Sequence, residues 1–258
     1  MEWYKNLGIY KIYLYDNNEL NGERFEEVIN DYIENDFVKV IDRRGIVKST
    51  MTDKNGKTTQ GKAYYDCYYN NYKSNDWIFF FDIDEYLSID YKYNNIFEFL
   101  NDFKKYDGIK VQWRMYGDNG NLYYENKPLN ERFVNKNNVN YDNHIKSIIK
   151  CKNYTYDLVF CAHGVLNKKP IFVNVNKKRV VNSYMDRKPY KNLPVYLNHF
   201  YSKSTEEFIN RKFNKTSAIH GKYSVNKGNF SLKFVKERYY KYNKITEEKE
   251  RMFNSLNK

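Results

Sequence analysis

Residues 77–85, WIFFFDIDE, place the tightest constraint on what this chain can fold into. Trp77 to Phe81 are all apolar, so a strand formed here needs cover on both faces. The run ends in Asp82, Asp84 and Glu85, carboxylates crowded beside a core. Like charges at that range repel and lose hydration, and a bound cation or a catalytic task usually explains them. On an extended backbone the side chains of Asp82 and Asp84, two positions apart, leave on the same side. Two such carboxylates form half a site for a hard divalent cation, with positions left for substrate phosphates. The competing reading has Asp82 capping a turn, with Asp84 and Glu85 solvated.

Around this strand the apolar spacing alternates between strand and helix periods. GIYKIYLYDN (8–17) reads as a strand with an exit turn at Asp16-Asn17, and residues 22–36 carry Phe25, Val28, Ile29, Tyr32 and Ile33 at helical spacing. A short strand at 37–42, a hairpin or loop at 46–60 centred on Asn55-Gly56, and a helix over 60–73 lead into the strand at 77–82. This order argues for βαβ units and a parallel sheet, in which ligands sit beyond the carboxyl ends of the strands. Asp16 and the 82–85 cluster both fall at such ends. A helix near 94–105 and a strand at 108–117 follow. From 118 to 200 the pattern is irregular, with short strands at 145–150, 157–162 and 171–175. Ser204 to Glu207 is a capping box opening a helix to about 214, and the charged tail 232–256 is mostly helical. No repeat or clear domain boundary interrupts the pattern.

Composition narrows the partners. With 258 residues, 41% hydrophobic and 19% aromatic, the chain can bury a sizeable core and is not a disordered one. The net charge of +12 is spread along the chain, and 176–181 (NKKRVV) is its one dense cluster. A solvated basic surface, an anionic membrane surface or phosphate-bearing ligands all fit that charge. Zinc-finger spacing and RNA-recognition signatures are missing, so nucleic acid is not expected as the partner. Cys67, Cys151 and Cys161 are odd in number and lack C-x-x-C pairing, which suits a reducing compartment. No apolar run approaches the roughly 18 residues of a membrane span. A cytoplasmic protein, at most peripheral to a membrane, is expected. The three N-x-S/T sequons, at Asn153, Asn214 and Asn229, read as accidents of an Asn-rich chain.

Eight segments carry a family resemblance: GIYKIYLYDN (8–17), QGKAYYDC (60–67), DWIFFFDIDEYL (76–87), WRMYGDNG (113–120), ERF (131–133), HIKSIIK (144–150), CAHG (161–164) and YLNHFYSKSTEEFINRK (196–212). FFFDIDEYL resembles the D-x-D segment of GT-A glycosyltransferases. Together, and in this order across nearly the whole chain, the segments resemble glycosyltransferase family 92 and the related family-2-like bacterial enzymes.

The resemblance implies a single GT-A domain: a Rossmann-like α/β fold, its mixed sheet flanked by helices on both sides. About 1–117 would bind the nucleotide sugar, about 118–230 the acceptor, and about 231–258 would form a helical tail. The implied reaction moves a hexose from a nucleoside diphosphate sugar, a UDP-sugar foremost, to a glycan or glycolipid hydroxyl with inversion, in surface polysaccharide assembly. Asp82 and Asp84 would hold Mn2+ or Mg2+ against the diphosphate. His199, in LNHF, matches a late metal-binding histidine better than His163 does. Asp16 and Gln60 would face the nucleotide, and Lys146 and Lys203 would meet phosphate. The readings as turn former, helix starter and basic surface stay open for these residues.

Inversion needs a base, for which Glu131 in NERF and Asp118 after MYG are the candidates, each equally readable as a surface ion pair. Trp113, Tyr116, Gly117 and Gly120 resemble an acceptor loop, with Trp113 also readable as core. Family members carry a further strand with a Lys-Asn-Glu-like segment ahead of the position of Glu2-Trp3. Either the start is placed too late, or the fold is expected to lack its first strand, with weak or no transfer. The second reading is a silent homologue that binds nucleotide or glycan.

Overall fold

The computed structural model describes residues 1–18, 20–45, 59–135, 139–181, 189–214 and 232–255. Most of the loop expected at 46–60 and the Asn229 sequon lie outside these residues. The chain is a mixed α/β protein that divides into two compact units. One unit takes Met1–Phe80, Ile89–Val111 and Ile145–Ser183; the other takes Phe81–Ser88, Gln112–His144 and Tyr184–Lys258. The halves expected at 1–117 and 118–230 do not match this division. Two long strands, β5 (Gly108–Tyr116) and β6 (Val139–Lys150), run from one unit into the other, so the chain returns to the first unit after residue 144.

The first unit opens with a helix missed in the sequence, α1 (Glu2–Leu7), which Gly8 ends in the left-handed conformation at φ 92°. Strand β1 (Ile12–Asp16), helix α2 (Glu26–Glu34) and strand β2 (Val38–Asp42) then form a βαβ unit. The two strands are parallel, from Ile12 beside Val38 to Asp16 beside Asp42, as the pattern predicts. Its apolar face is Leu14, Phe37 and Val38 with Phe25, Ile29 and Ile33 against them. Helix α3 (Thr59–Asn71) buries Gly61, Tyr64, Cys67 and Tyr68, one stripe at helical spacing. A Cβ on Gly61 would lie 2.6 Å from the Phe160 carbonyl, so the QGK motif needs glycine there for close approach.

The parallel pattern does not extend to β3 (Trp77–Phe80). This strand pairs antiparallel with β6, Trp77 beside Lys150 and Phe80 beside Ser147. Ile78 and Phe80 point into an aromatic core with Tyr64, Tyr68, Phe160 and Phe172. Strand β9 (Phe172–Asn174) runs parallel to β5, and β7 (Phe160–Cys161) with β8 (Gly164–Val165) makes a two-stranded hairpin. Helix α4 (Ile96–Asp102) is capped by Asn95, whose side chain accepts the Glu98 amide.

The second unit contains β4 (Glu85–Ile89), the short helix α5 (Leu129–Arg132) and β10 (Val195–His199), fully buried and parallel to β5. The six-stranded sheet has the order β3-β6-β5-β10-β4, with β9 beside β5. Helix α6 (Thr205–Ile209) has the expected capping box and continues as a π-helical turn, Asn210–Asn214. The tail forms two helices, α7 (Leu232–Tyr240) and α8 (Glu247–Asn254). Phe208, Val235, Tyr239 and Phe253 bury one face of each against α6. No described helix is long and apolar enough to cross a membrane.

Candidate active site

The strand at 77–80 stops before the carboxylates, and Asp82 to Asp84 lie on a turn rather than on the extended backbone expected. The Glu85 amide donates to the Asp82 carbonyl at 3.1 Å, and the Glu85 carboxylate accepts the Asp82 amide at 2.9 Å. Glu85, not Asp82, therefore caps this turn. Asp84 and Glu85 are buried, at 9% and 0% exposure, which overturns the solvated reading. Ile83 points out to solvent. The Phe200 amide donates to the Asp84 carbonyl at 3.0 Å and ties the end of β10 to the turn.

Asp84 is where charge converges. Arg211 Nη1 lies 3.1 Å from Oδ2, and His199 Nε2 lies 3.6 Å from Oδ1. Burial pushes the Asp84 carboxyl up, but His199, Arg211 and Lys203 outweigh it and hold it well below the usual range. Lys203, at φ 53°, is itself pushed down by burial, and Lys212 is pushed down to about 8 by burial and by Arg211 and Arg238. Arg211, Lys203 and Lys212 thus all act in the field of Asp84, and Glu207 acts on Lys203 as well.

The donor set fits one edge of a divalent-cation site. A carboxylate oxygen and an imidazole nitrogen face each other, and the buried His199 Nδ1, 4.0 Å from Glu85, makes no hydrogen bond among the described residues. Among the described residues no group of three His, Cys, Asp or Glu side chains converges as a complete cage. Such a half-site suits a cation that completes its shell with water and substrate phosphate.

Trp113 adjoins the cluster. Its ring meets His199 edge-on at 4.4 Å and stacks on His144 at 5.0 Å with 20° between the planes. His144 Nδ1 contacts the Asp142 carboxylate, which also accepts Tyr242 Oη at 2.8 Å and Lys241 Nζ at 3.1 Å. Neither Asp142 nor His144 was singled out in the sequence. Tyr116, expected to contact acceptor, is 4% exposed inside a cluster with Phe133 and Phe200, where no sugar can stack on it. Gly117 is needed for packing, since a Cβ there would lie 2.5 Å from the Tyr242 carbonyl.

The two base candidates differ sharply. Asp118 is 4% exposed and its carboxylate accepts Tyr239 Oη, the Gly120 amide and Lys249 Nζ, the last at 2.5 Å. Both of its oxygens are thus taken by donors within the fold. Glu131 is exposed on α5. Its neighbour Arg132 forms a two-pronged pair with Glu207, at 2.7 and 3.1 Å.

The other nucleotide-facing candidates belong to the first unit. Asp16, 1% exposed, accepts the Asn18 amide at 2.9 Å, as a turn former does, with Arg44 4.0 Å away. Gln60 and Lys146 meet on one hydroxyl: Gln60 Nε2 donates to Tyr64 Oη at 2.8 Å and Lys146 Nζ reaches it at 3.3 Å. Lys146 also donates to the Ala162 carbonyl at 2.8 Å and is 1% exposed, so it is not a surface cation. His163 Nδ1 lies 3.1 Å from the Ile145 carbonyl, a backbone contact, in the unit that does not contain Asp84.

The family model for glycosyltransferase family 92 matches residues 1–255. No curated protein matches the chain.

Proposed function

Because the chain belongs to glycosyltransferase family 92, whose activity is sugar transfer from nucleotide-sugar donors to glycan acceptors, we propose an inverting, metal-dependent enzyme of the GT-A type. The donor is a UDP-linked hexose, and the acceptor is a hydroxyl of a surface glycan or glycolipid made on the cytoplasmic side. The observation that carries this reading is the buried Asp84, facing His199 and surrounded by cations at the end of an apolar strand.

Asp84 and His199 would hold Mn2+ or Mg2+, with Asp82 beside them, and the cation would neutralise charge growing on the departing diphosphate. The chain's own cations serve the same end. Arg211, Lys203 and Lys212 lie in the field of Asp84 and would meet the negative charge of a diphosphate. Arg211 would exchange Asp84 for a donor phosphate. The face of Trp113 would take the acceptor sugar, and the resemblance gives Asp16, Gln60 and Lys146 of the first unit as candidates for the nucleotide.

The test is nucleoside diphosphate release from a panel of UDP- and GDP-sugars, with and without Mn2+. The parent should turn over one donor in Mn2+ alone, and Asp84→Asn should lose at least about a thousandfold with its fold intact. Turnover by Asp84→Asn at the parental rate would remove Asp84 from the metal site. A parent that binds a nucleoside diphosphate but transfers nothing would be the silent homologue.

A further inference from the structure

We propose that Arg211 is a latch on the metal site: its guanidinium holds the Asp84 carboxylate against a divalent cation until a nucleoside diphosphate draws it away. The inference rests on the glycosyltransferase reading and adds to it a coupling between metal and donor. Arg211 sits on the π-helical turn Asn210–Asn214 that continues α6. Such turns are rare and recur at functional sites. From there Nη1 donates to Asp84 Oδ2 at 3.1 Å, and Nη2 donates to the Tyr201 carbonyl. Nε is buried and makes no hydrogen bond among the described residues. The guanidinium carbon lies 5.1 Å from the centroid of the Tyr201 ring and 5.8 Å from that of Phe208. These ring contacts favour a cation without fixing where its N–H groups point. One donor of Arg211 is therefore unused while the side chain rests on Asp84, and a buried donor without a partner is costly.

Cation and guanidinium compete for one carboxylate. Oδ1 of Asp84 faces His199 Nε2 at 3.6 Å, the pair suited to a metal, while Oδ2 carries Arg211. A dication on Oδ1 would meet the guanidinium across the width of that carboxylate. The Asp84 side chain is 12% exposed, so water screens this repulsion weakly. A phosphate resolves the conflict, because it accepts two parallel N–H bonds from a guanidinium and gives Nε the partner it lacks. Lys203 and Lys212, in the same field, draw the diphosphate to the same place. Once Arg211 has moved onto phosphate, Asp84 is left to the cation. Diphosphate and cation therefore strengthen each other's binding, and by linkage they do so by the same factor.

On the full chain, Mn2+ binding without nucleotide is read by electron paramagnetic resonance of the free ion, and UDP binding in EDTA by calorimetry. Arg211→Met should bind Mn2+ alone about tenfold more tightly than the parent, and UDP alone about tenfold more weakly. The opposite signs are the signature, because a residue that only supports the fold would weaken both. Lys212→Met, which removes a charge near Asp84 without releasing its oxygen, should shift Mn2+ affinity by less than about threefold. Mn2+ affinity unchanged or lower in Arg211→Met, or an equal gain in Lys212→Met, overturns the latch and leaves the glycosyltransferase reading standing. Asp84→Asn binding Mn2+ and UDP together as tightly as the parent removes the metal reading and the latch with it. The Arg211 side chain is 29% exposed. Should Arg211→Met fail to fold, Arg211→Gln, which keeps an amide donor for the Tyr201 carbonyl, is expected to give the same two shifts. A parent that binds UDP no more tightly with Mn2+ than without it overturns the coupling whatever the variants show.

Discussion

Lys110 and Lys249 are both nearly fully buried, one in each unit, and they are satisfied in opposite ways. Lys249 pairs with Asp118 at 2.5 Å and donates to the Lys244 carbonyl at 3.1 Å. Lys110 instead donates to neutral oxygens, Ser147 Oγ at 2.8 Å and the Val165 carbonyl at 3.1 Å. Burial pushes Lys110 down to about 8. The same difference recurs at a few other cations, although the first unit also holds ion pairs such as Arg44 with Asp42 and Lys152 with Asp107. In the second unit Arg132 pairs with Glu207 and Arg211 with Asp84. In the first, Lys146 also reaches a hydroxyl and a carbonyl. Paired charges fix geometry where chemistry is proposed, and lysines on neutral oxygens hold the CAHG hairpin in place.

The sharpest way to break this comparison is to remove one partner of the paired lysine. Lys249→Met leaves the Asp118 carboxylate buried with only Tyr239 Oη and the Gly120 amide among the contacts above. The expected cost is about 3 kcal/mol or more, from a buried charge that has lost its counter-ion. Urea unfolding at pH 7 measures it. A loss under about 1 kcal/mol would mean that the pair contributes little beyond its packing.

Lys110 gives the next effect, through pH rather than through a lost partner. Its folded pKa of about 8 lies below the unfolded value of 10.5. Below pH 8 the lysine is charged in both states, and the folded state carries the full desolvation cost. Between pH 8 and 10.5 the unfolded chain binds more protons, so stability rises with pH. The parent should therefore gain about 3 kcal/mol relative to Lys110→Met between pH 7.5 and 10.5. Taking the difference cancels the titration of the many tyrosines. A flat difference would show that the ammonium is hydrated or already neutral.

The sequence made the strands and helices legible where periodicity was strong: β1, α2, β2, β3 and β5 lie within the stretches expected, and α3 starts one residue ahead of its own. It misplaced what depends on partners far along the chain. The parallel sheet was extended to β3 because an apolar run carries no direction, and β3 pairs antiparallel with β6. The turn at 82–84 was read as extended because nothing local reveals that the Glu85 side chain caps it. Strand β6 starts at Val139 rather than at 145, an extension hidden because residues 140–144 are mostly polar. Arg211 lies 127 residues from Asp84, a pairing that no spacing could show. Tyr116 and Asp118 read as site residues because a motif shows which residue types recur but not which of them are buried.

Helix caps carry the same contrast to its smallest effect. Ser204 caps α6 in the second unit: it is buried, its Oγ accepts the Glu207 amide at 3.2 Å, and Glu207 returns to the Ser204 amide at 3.1 Å. Glu207 also carries the fork to Arg132, so the cap and the ion pair share one carboxylate. Asn95 caps α4 in the first unit at an exposed position, accepting the Glu98 amide at 2.9 Å. Loss of either side chain removes one hydrogen bond at a helix start, but water can replace it only at Asn95. Ser204→Ala should therefore cost about 1–2 kcal/mol and Asn95→Ala about 0.5–1 kcal/mol, the upper and lower parts of the range for caps. Because Glu207 loses its Ser204 Oγ contact, Ser204→Ala should also loosen Arg132, and Arg132→Ala should cost less in that background than in the parent. A double-mutant cycle measures this coupling. Equal costs at the two caps, or strict additivity of Ser204→Ala with Arg132→Ala, would show that the second unit's charges stabilise it one by one rather than as a connected set.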